Sequence, residues 1–437
     1  MTDPGIRDLF QRADQLARAG NRTAAAKLFE QILERRPQHL AALTFLSMTA
    51  LDACAYERSV KLMERAAEVE SDNAVLQQNL GLILRKSGEP EKALAALDRA
   101  IELEPRYAVA YLHRGAALED LSRVDEALES YRKAVQLEPG LRRLNERTPR
   151  IVLELAQRAN DLKTASLRRV QDEAFESVRE RYGSEETRRL ERFLRGHQKL
   201  DEIPFTDPLQ RPGYQYFPDI PPQPWFERDA FEWVEAFEAA ADTICDEVNA
   251  VVEENADLKP YVSGDRVPPP KSEHSASWNA LAESLTWSSY HLLEGGERID
   301  EHCARCPETL AAVEQLPLVY AQGHAPEAFF SILKPGAYIP PHFGLANTKL
   351  AVHLALMIPE DCAIRVGPET RGWTEGQCLI FDDSFEHEAW NRSDQTRAVL
   401  ITEVWNPALT EPEREGISAI VRASDDFGRR WAESVTD

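Results

Sequence analysis

The first 140 residues repeat with a period of 34. Pro37–Glu70, Ser71–Glu104 and Pro105–Glu138 align without gaps, and Asp3–Arg36 fits the same frame less closely. Small side chains recur at Ala25, Ser59, Ala93 and Ala127, larger ones at Phe29, Met63, Leu97 and Tyr131, and the closing position holds Pro37, Ser71, Pro105 and Pro139. A repeat of this length is a helix–turn–helix unit that cannot bury its apolar face alone, so successive units must stack. Ala93 and Ala127 are expected to let the two helices of a repeat approach closely, and Leu97 and Tyr131 to fill the groove between repeats. Proline ends the second helix because it has no N–H to continue the ladder.

Leu80-Gly81 and Arg114-Gly115 occupy the same slots in successive repeats. In this pattern the segment resembles the tetratricopeptide family. The resemblance implies a concave surface for a peptide or protein partner; the plainer alternative is a scaffold that packs on the rest of the chain.

Charge is distributed unevenly along the 437 residues. The formal total is −23, but residues 201–437 alone hold 17 Lys/Arg against 42 Asp/Glu. A field of that sign repels nucleic acid and anionic membrane surfaces, so neither is an expected partner. The first residues, MTDPGIRDLFQRAD, lack the basic and apolar regions of a signal peptide, and no stretch approaches 18 uninterrupted apolar residues. A soluble, cytoplasmic protein is expected. Six cysteines do not make a disulfide scaffold, and Cys303-Ala-Arg-Cys306 is a lone CxxC with no second pair at zinc-site spacing.

Residues 141–203 are helical in pattern and rich in Arg, and read as a solvated connector. Pro212-Gly-Tyr-Gln-Tyr-Phe-Pro-Asp-Ile-Pro-Pro-Gln-Pro is an extended entry to a new domain, and Ala230–Asn255 carries the apolar spacing of an amphipathic helix. From Thr286 the pattern turns to short β-type runs: LTWSSYHLL, EAFFSILKPG, LAVHLALMIP, CAIRVGP, QCLIFDD and AVLITEVW. Such runs with Pro, Gly and Asp punctuation predict a sandwich or barrel. Pro412–Glu433 is expected to be an outer helix. The predicted order is a repeat array at 1–140, a helical linker at 141–203, a jelly-roll domain at 204–411 and a closing helix at 412–437. The fold class is multidomain α plus β: an α-helical solenoid, then a double-stranded β-helix with flanking helices.

Histidine is scarce, ten in the chain, so position carries information. His342 and His387 are 45 residues apart, and Arg397 follows ten residues later. In a jelly-roll, that layout suits a ferrous ion held by two neutral imidazoles, with positions left open for a co-substrate and dioxygen. An Arg suits a distal carboxylate because its planar fork makes two charge-assisted hydrogen bonds. His274, His291, His302 and His324 read as structural, and Trp287, Trp373, Trp390 and Trp405 as core or pocket-wall aromatics.

The block HFGLANTKLAVHLALMIPEDCAIRVGPETRGWTEGQCLIFDDSFEHEAWNRSDQTRAVLITEVWNPAL resembles the aspartyl/asparaginyl β-hydroxylase family, most specifically in FDDSFEHEAWN. Most iron/2-oxoglutarate enzymes carry His-x-Asp/Glu, whereas here the third position is Gly344, a departure that this family shares. The resemblance implies an Fe(II)- and 2-oxoglutarate-dependent dioxygenase with O2 as co-substrate and His342 and His387 as metal ligands. Ser331 and Arg397 would hold the distal carboxylate of 2-oxoglutarate, with His353 near it. Asp383 would hold the water that replaces the third ligand, a role favoured over the alternative in which Asp382-Asp383 is a turn pair. The expected reaction is hydroxylation of a C–H bond, on the β-carbon of an Asp/Asn-type residue in a peptide, protein or carrier-bound substrate. Better-known members have an Arg two residues before the strand histidine; here that residue is Ala351, with Lys349 two further back. Two alternatives stand beside this reading: a non-catalytic interaction protein with a relic oxygenase domain, and a halogenase that uses the place vacated at Gly344.

Overall fold

In a computed structural model, residues 4–137, 150–254, 257–262, 275–319 and 325–433 are described. The repeat positions Glu138 and Pro139, the start of the Arg-rich segment, and the histidines His274 and His324 lie outside them. The chain divides into two compact units, Met1–Leu167 with Arg429–Asp437, and Arg168–Gly428. No helix among the described residues is long and apolar enough to cross a membrane.

The first unit begins with eight antiparallel-paired helices: α1 (Pro4–Arg18), α2 (Arg22–Arg35), α3 (Leu40–Asp52), α4 (Tyr56–Val69), α5 (Ala74–Lys86), α6 (Pro90–Leu103), α7 (Ala108–Asp120) and α8 (Val124–Leu137). Their starts are set locally. The side chain of Asn21 accepts from the Ala24 N–H, and that of Asn73 from the N–H groups of Val75 and Leu76, which satisfies donors left open in a first turn. Pro37 and Pro105 stand just past the ends of α2 and α6. The small repeat residues Ala25, Ser59, Ala93 and Ala127 are fully buried, as are Met63, Leu97 and Tyr131.

Leu97 and Tyr131 pack differently from the sequence expectation. They lie over Gly81 and Gly115 of the first helix of their own repeat, where the missing Cβ leaves a recess for the Leu side chain and the Tyr ring. Glycine there costs helix propensity but admits the larger partner.

Among the described residues the second unit contains 12 strands: β1 (Trp225–Phe226), β2 (Lys259–Pro260), β3 (Trp287–Glu294), β4 (Glu297–Arg298), β5 (Ala328–Leu333), β6 (Tyr338–His342), β7 (Lys349–Met357), β8 (Cys362–Val366), β9 (Glu369–Gly372), β10 (Cys378–Phe381), β11 (His387–Asn391) and β12 (Arg397–Trp405). One sheet runs β1-β10-β7-β12-β5-β3-β2, with β4 on β3; the other runs β6-β11-β8-β9. All pairings are antiparallel. From β5 to β12 the chain alternates between the two sheets except at the β8–β9 hairpin, which is the winding of a double-stranded β-helix.

Strand alternation gives the larger sheet two apolar faces. Leu350, Val352, Leu354 and Leu356 of β7, with Ala398, Leu400 and Val404 of β12, join Ile244, Val248 and Val251 in one core. Ala351 and Ala355 of β7, with Val399 of β12, face the smaller sheet and meet Ile339, Ile364 and Ala389. The segment predicted as one helix from Ala230 breaks into Val234–Glu238 and Ala241–Glu253, and Val234, Phe237, Ala241 and Ile244 remain in a single core cluster.

The Arg-rich segment also departs from a solvated connector. Phe175, Val178, Leu190, Phe193 and Leu194 are buried with Phe217, Ile417, Ile420 and Val421, the last three from the helix Glu411–Glu433. Its arginines occupy the rim: Arg189 reaches both carboxylate oxygens of Glu413, at 2.8 and 2.9 Å.

A Cβ at position 115 would overlap the buried Tyr131 ring. Gly115→Ala should therefore lower the unfolding free energy of the repeat unit by about 1–3 kcal/mol in urea titration of the full chain. A loss below about 0.5 kcal/mol would mean that the ring simply moves aside.

Candidate active site

The site lies between the sheets. In the β6–β11 ladder His342 and His387 are direct partners, and their ring centroids are 4.0 Å apart. Each ring is fixed by its own strand: His342 Nδ1–H donates to the Pro340 carbonyl at 2.8 Å, and His387 Nδ1–H to the Phe385 carbonyl at 2.9 Å. A carbonyl can only accept, so in the neutral ring the proton sits on Nδ1 and the Nε2 lone pair stays free. Burial depresses both pKa values, to about 3 for His342 and about 4 for His387. Trp278 stands edge-on to His342 at 5.5 Å, and Phe381 lies 6.0 Å from His387. Two neutral imidazoles side by side behind aromatic walls make a pair of nitrogen donors suited to a divalent transition metal.

The loop after His342 returns through Gly344, whose N–H donates to the Asp383 carbonyl at 2.7 Å. A Cβ at 344 would run into the Asp383 carboxyl group. The space that a third-ligand side chain would need is thus filled by a carboxylate from another strand end, and Asp383 Oδ1 is buried without a hydrogen-bond partner. Burial raises the Asp383 pKa, against the lowering pull of Lys349. Its neighbour Asp382 is of the other kind. It accepts from the Ser384 N–H at 2.9 Å and from Gln210 Nε2 at 2.9 Å, so Asp382 is the turn residue and Asp383 is not.

Arg397 opens β12 with 1% of its surface exposed. Its Nη1 donates to the Ser331 carbonyl at 3.2 Å and Oγ at 3.4 Å, its guanidinium lies 5.0 Å over the Trp373 ring, and Nε is buried without a partner. Burial lowers its pKa to about 10, which leaves it charged at neutral pH. No carboxylate among the described residues pairs with it. A buried cation left unbalanced in this way is a seat for an anion. Trp287 Nε1 donates to Ser331 Oγ at 3.1 Å, leaving the hydroxyl proton for another acceptor. His353, on the inner face of β7, stacks 6.1 Å from Trp373, and its buried Nδ1 has no partner.

All six expected site residues, Ser331, His342, His353, Asp383, His387 and Arg397, thus belong to strands or strand ends around this one interior. Trp287 and Trp373, read from sequence only as wall aromatics, also hold Ser331 and Arg397. Glu403 was missed. It lies six residues after Arg397, an even spacing that puts both on the inner face of β12, and it is ion-paired with Lys349.

Of the residues expected to be structural, His302 donates from Nδ1 to the His291 carbonyl at 2.6 Å, and His291 stacks on Phe329 at 4.6 Å. Trp390 carries Arg392 at 4.7 Å over its ring, and Trp405 packs on the core beside the helix Glu411–Glu433. Cys303 and Cys306 are buried free thiols, and burial pushes Cys306 up to about 12, which makes it a poor nucleophile. Among the described residues no group of three or more His, Cys, Asp or Glu forms a metal cluster.

The family model for aspartyl/asparaginyl β-hydroxylase matches residues 238–407, and that for the tetratricopeptide repeat matches residues 10–74 and 79–141. Residues 238–407 form a β-hydroxylase-family domain. The chain is 40% identical over 141 residues to human aspartyl/asparaginyl β-hydroxylase, across 32% of this chain and 18% of that protein. It is 30% identical over 217 residues to the Xenopus tropicalis aspartate β-hydroxylase domain-containing protein 2, across 48% and 55%. It is 33% identical over 194 residues to the Rhizobium tropici ornithine lipid ester-linked acyl 2-hydroxylase, across 44% and 63%. The chain therefore spans less than two thirds of the length of each of these relatives. Among solved structures, a MamA protein aligns with a TM-score of 0.31 at 20% identity over 46% of this chain and 98% of that one.

In the β-hydroxylase domain the Gly344–Asp383 contact should be measurable without any ligand. Gly344→Ala should cost about 1–3 kcal/mol of stability beside Asp383, and at least about 1 kcal/mol less beside Asp383→Gly. Equal costs in the two backgrounds would show that the carboxylate does not fill that space.

Proposed function

We propose that the chain is an Fe(II)- and 2-oxoglutarate-dependent dioxygenase that hydroxylates a C–H bond. By its family the target is the β-carbon of an Asp/Asn-type residue in a peptide, protein or carrier-bound substrate. The carrying observation is the pair of His342 and His387 rings, each with Nδ1 tied to a carbonyl and Nε2 free.

His342 and His387 would hold the metal through Nε2, with the Pro340 and Phe385 carbonyls fixing the tautomer and orientation of the rings. Asp383 would add negative charge beside the metal from the place that a side chain at 344 cannot use. Arg397 and Ser331 would take the distal carboxylate of 2-oxoglutarate; the unpartnered Nε and the buried, uncompensated charge of Arg397 support that role. Trp373 keeps the guanidinium plane in position, and His353 lies beside it with an unused ring nitrogen. When bound, the iron with 2-oxoglutarate and O2 supplies the chemistry that converts C–H to C–OH while 2-oxoglutarate becomes succinate and CO2. The aromatic walls exclude water from that reaction.

A chloride seated beside the metal at the Gly344 position would face the Asp383 carboxylate, which favours hydroxylation over halogenation. The relic reading leaves the desolvation of Arg397 without a purpose. The repeats are proposed to bind a peptide or protein partner, and the domain is proposed to work in the cytoplasm.

The test is succinate formation with Fe(II) and 2-oxoglutarate, together with 2-oxoglutarate affinity. Arg397→Met should weaken that affinity about 100-fold or more, through the loss of charge-assisted bonds of about 1.5–3 kcal/mol each. His387→Ala should abolish turnover. A wild-type protein that neither binds 2-oxoglutarate nor forms succinate overturns the proposal.

A further inference from the structure

In the inner wall of the larger sheet, the small residue Ala351 lies between two cross-strand partners, Phe381 of β10 and Glu403 of β12. Strand alternation puts Lys349, Ala351 and His353 on one inner face of β7, and Arg397, Val399, Ile401 and Glu403 on that of β12. Glu403 is 8% exposed. One of its oxygens accepts from Lys349 Nζ, and the other, Oε2, is buried with no partner.

Lys349 is not free to receive an anion. Burial works against its ammonium, yet Glu403, Asp383 and Glu327 outweigh that and hold its pKa above the ordinary value. Burial raises Glu403 in spite of Lys349, and Asp383 and Glu327 push the same way. One ammonium thus pairs with Glu403 and feels the charge of Asp383 and Glu327. A shallow cleft walled by Tyr214, Val319, Leu345, Ile417 and Val421 also touches Lys349.

Resting on the oxygenase reading above, we propose that Glu403, held by Lys349, is the substrate-recognition carboxylate of this site. It takes a cationic nitrogen, an ammonium or guanidinium, of the substrate beside the oxidised carbon. A substrate carboxylate there would meet Glu403 across the strand and find the one nearby ammonium already paired. A cationic N–H donor instead satisfies Oε2 and offsets the surplus negative charge. Glu403 is thereby a specificity residue, and Lys349 positions it.

The probe is a heptapeptide library randomised at its three central positions over Asp, Asn, Ser, Ala, Lys and Arg. It is presented to the full chain loaded with Mn(II) and N-oxalylglycine, an inert 2-oxoglutarate analogue, and bound peptides are sequenced by mass spectrometry. Lys or Arg should be enriched at least tenfold over Asp at one central position. The enrichment should fall at least fivefold in Glu403→Gln and in the double variant Lys349→Met/Glu403→Gln, which leaves the net charge unchanged. Both variants should keep the thermal shift given by Mn(II) and N-oxalylglycine. The absence of any central position that enriches Lys or Arg, or a cation preference that survives both variants, overturns the proposal. Absence of the thermal shift in the wild type instead overturns the oxygenase reading on which it rests.

Discussion

The pairing of β6 with β11 is the constraint on which the site depends. That ladder sets His342 opposite His387, and a one-residue slip would turn one ring out of the interior. Once the two rings face each other, the loop after β6 has little freedom. It must cross the end of β10, where the Gly344 N–H meets the Asp383 carbonyl, and only a residue without Cβ clears the carboxyl group. Glycine at 344 and aspartate at 383 are therefore two halves of one steric arrangement. The space that a side chain at 344 would take is filled by a carboxylate at the end of another strand.

The legibility of the chain follows from how much each feature repeats or alternates. The solenoid could be read because its small and large positions recur every 34 residues. The long strands β3, β5, β7 and β12 could be read because their runs are apolar and β-branched or aromatic. β6 and β11, which carry the two histidines, gave no such signal: each has five residues, and β6 contains Pro340-Pro341. Their assignment came from matching blocks of sequence, not from pattern. The break in the helix after Ala230 has no Gly or Pro to announce it. The Arg-rich segment misled because its charge is on one side only, and the opposite stripe of Phe175, Val178, Leu190 and Phe193 is a core face.

The buried charges of the interior fall into two kinds, and the proposed co-substrate and substrate contacts fall one to each. Arg397 is desolvated without a counter-ion, over Trp373, with Nε open. Such a group is costly in the empty protein and is repaid by an anion, so affinity for that anion is built into the fold. Lys349 and Glu403 are already paired, which removes most of that cost and most of any general appetite for ions. What remains is a single open lone pair on Glu403 and an excess of carboxylates around it.

The same division keeps the proposed substrate contact separate from the proposed metal and co-substrate contacts. Ser331, His342, His387 and Arg397 are held by backbone carbonyls, by each other and by indole rings. None of them touches residue 351 through a hydrogen bond. A change at 351 would therefore leave the contacts of these four side chains in place, provided that the cross-strand neighbour Glu403 is neutralised. Lys349, one alternation back on the same face, does so. In the proposed reading, the metal and co-substrate side chains are held by strand carbonyls and neighbouring strands, and the Lys349–Glu403 pair by a cross-strand contact of its own.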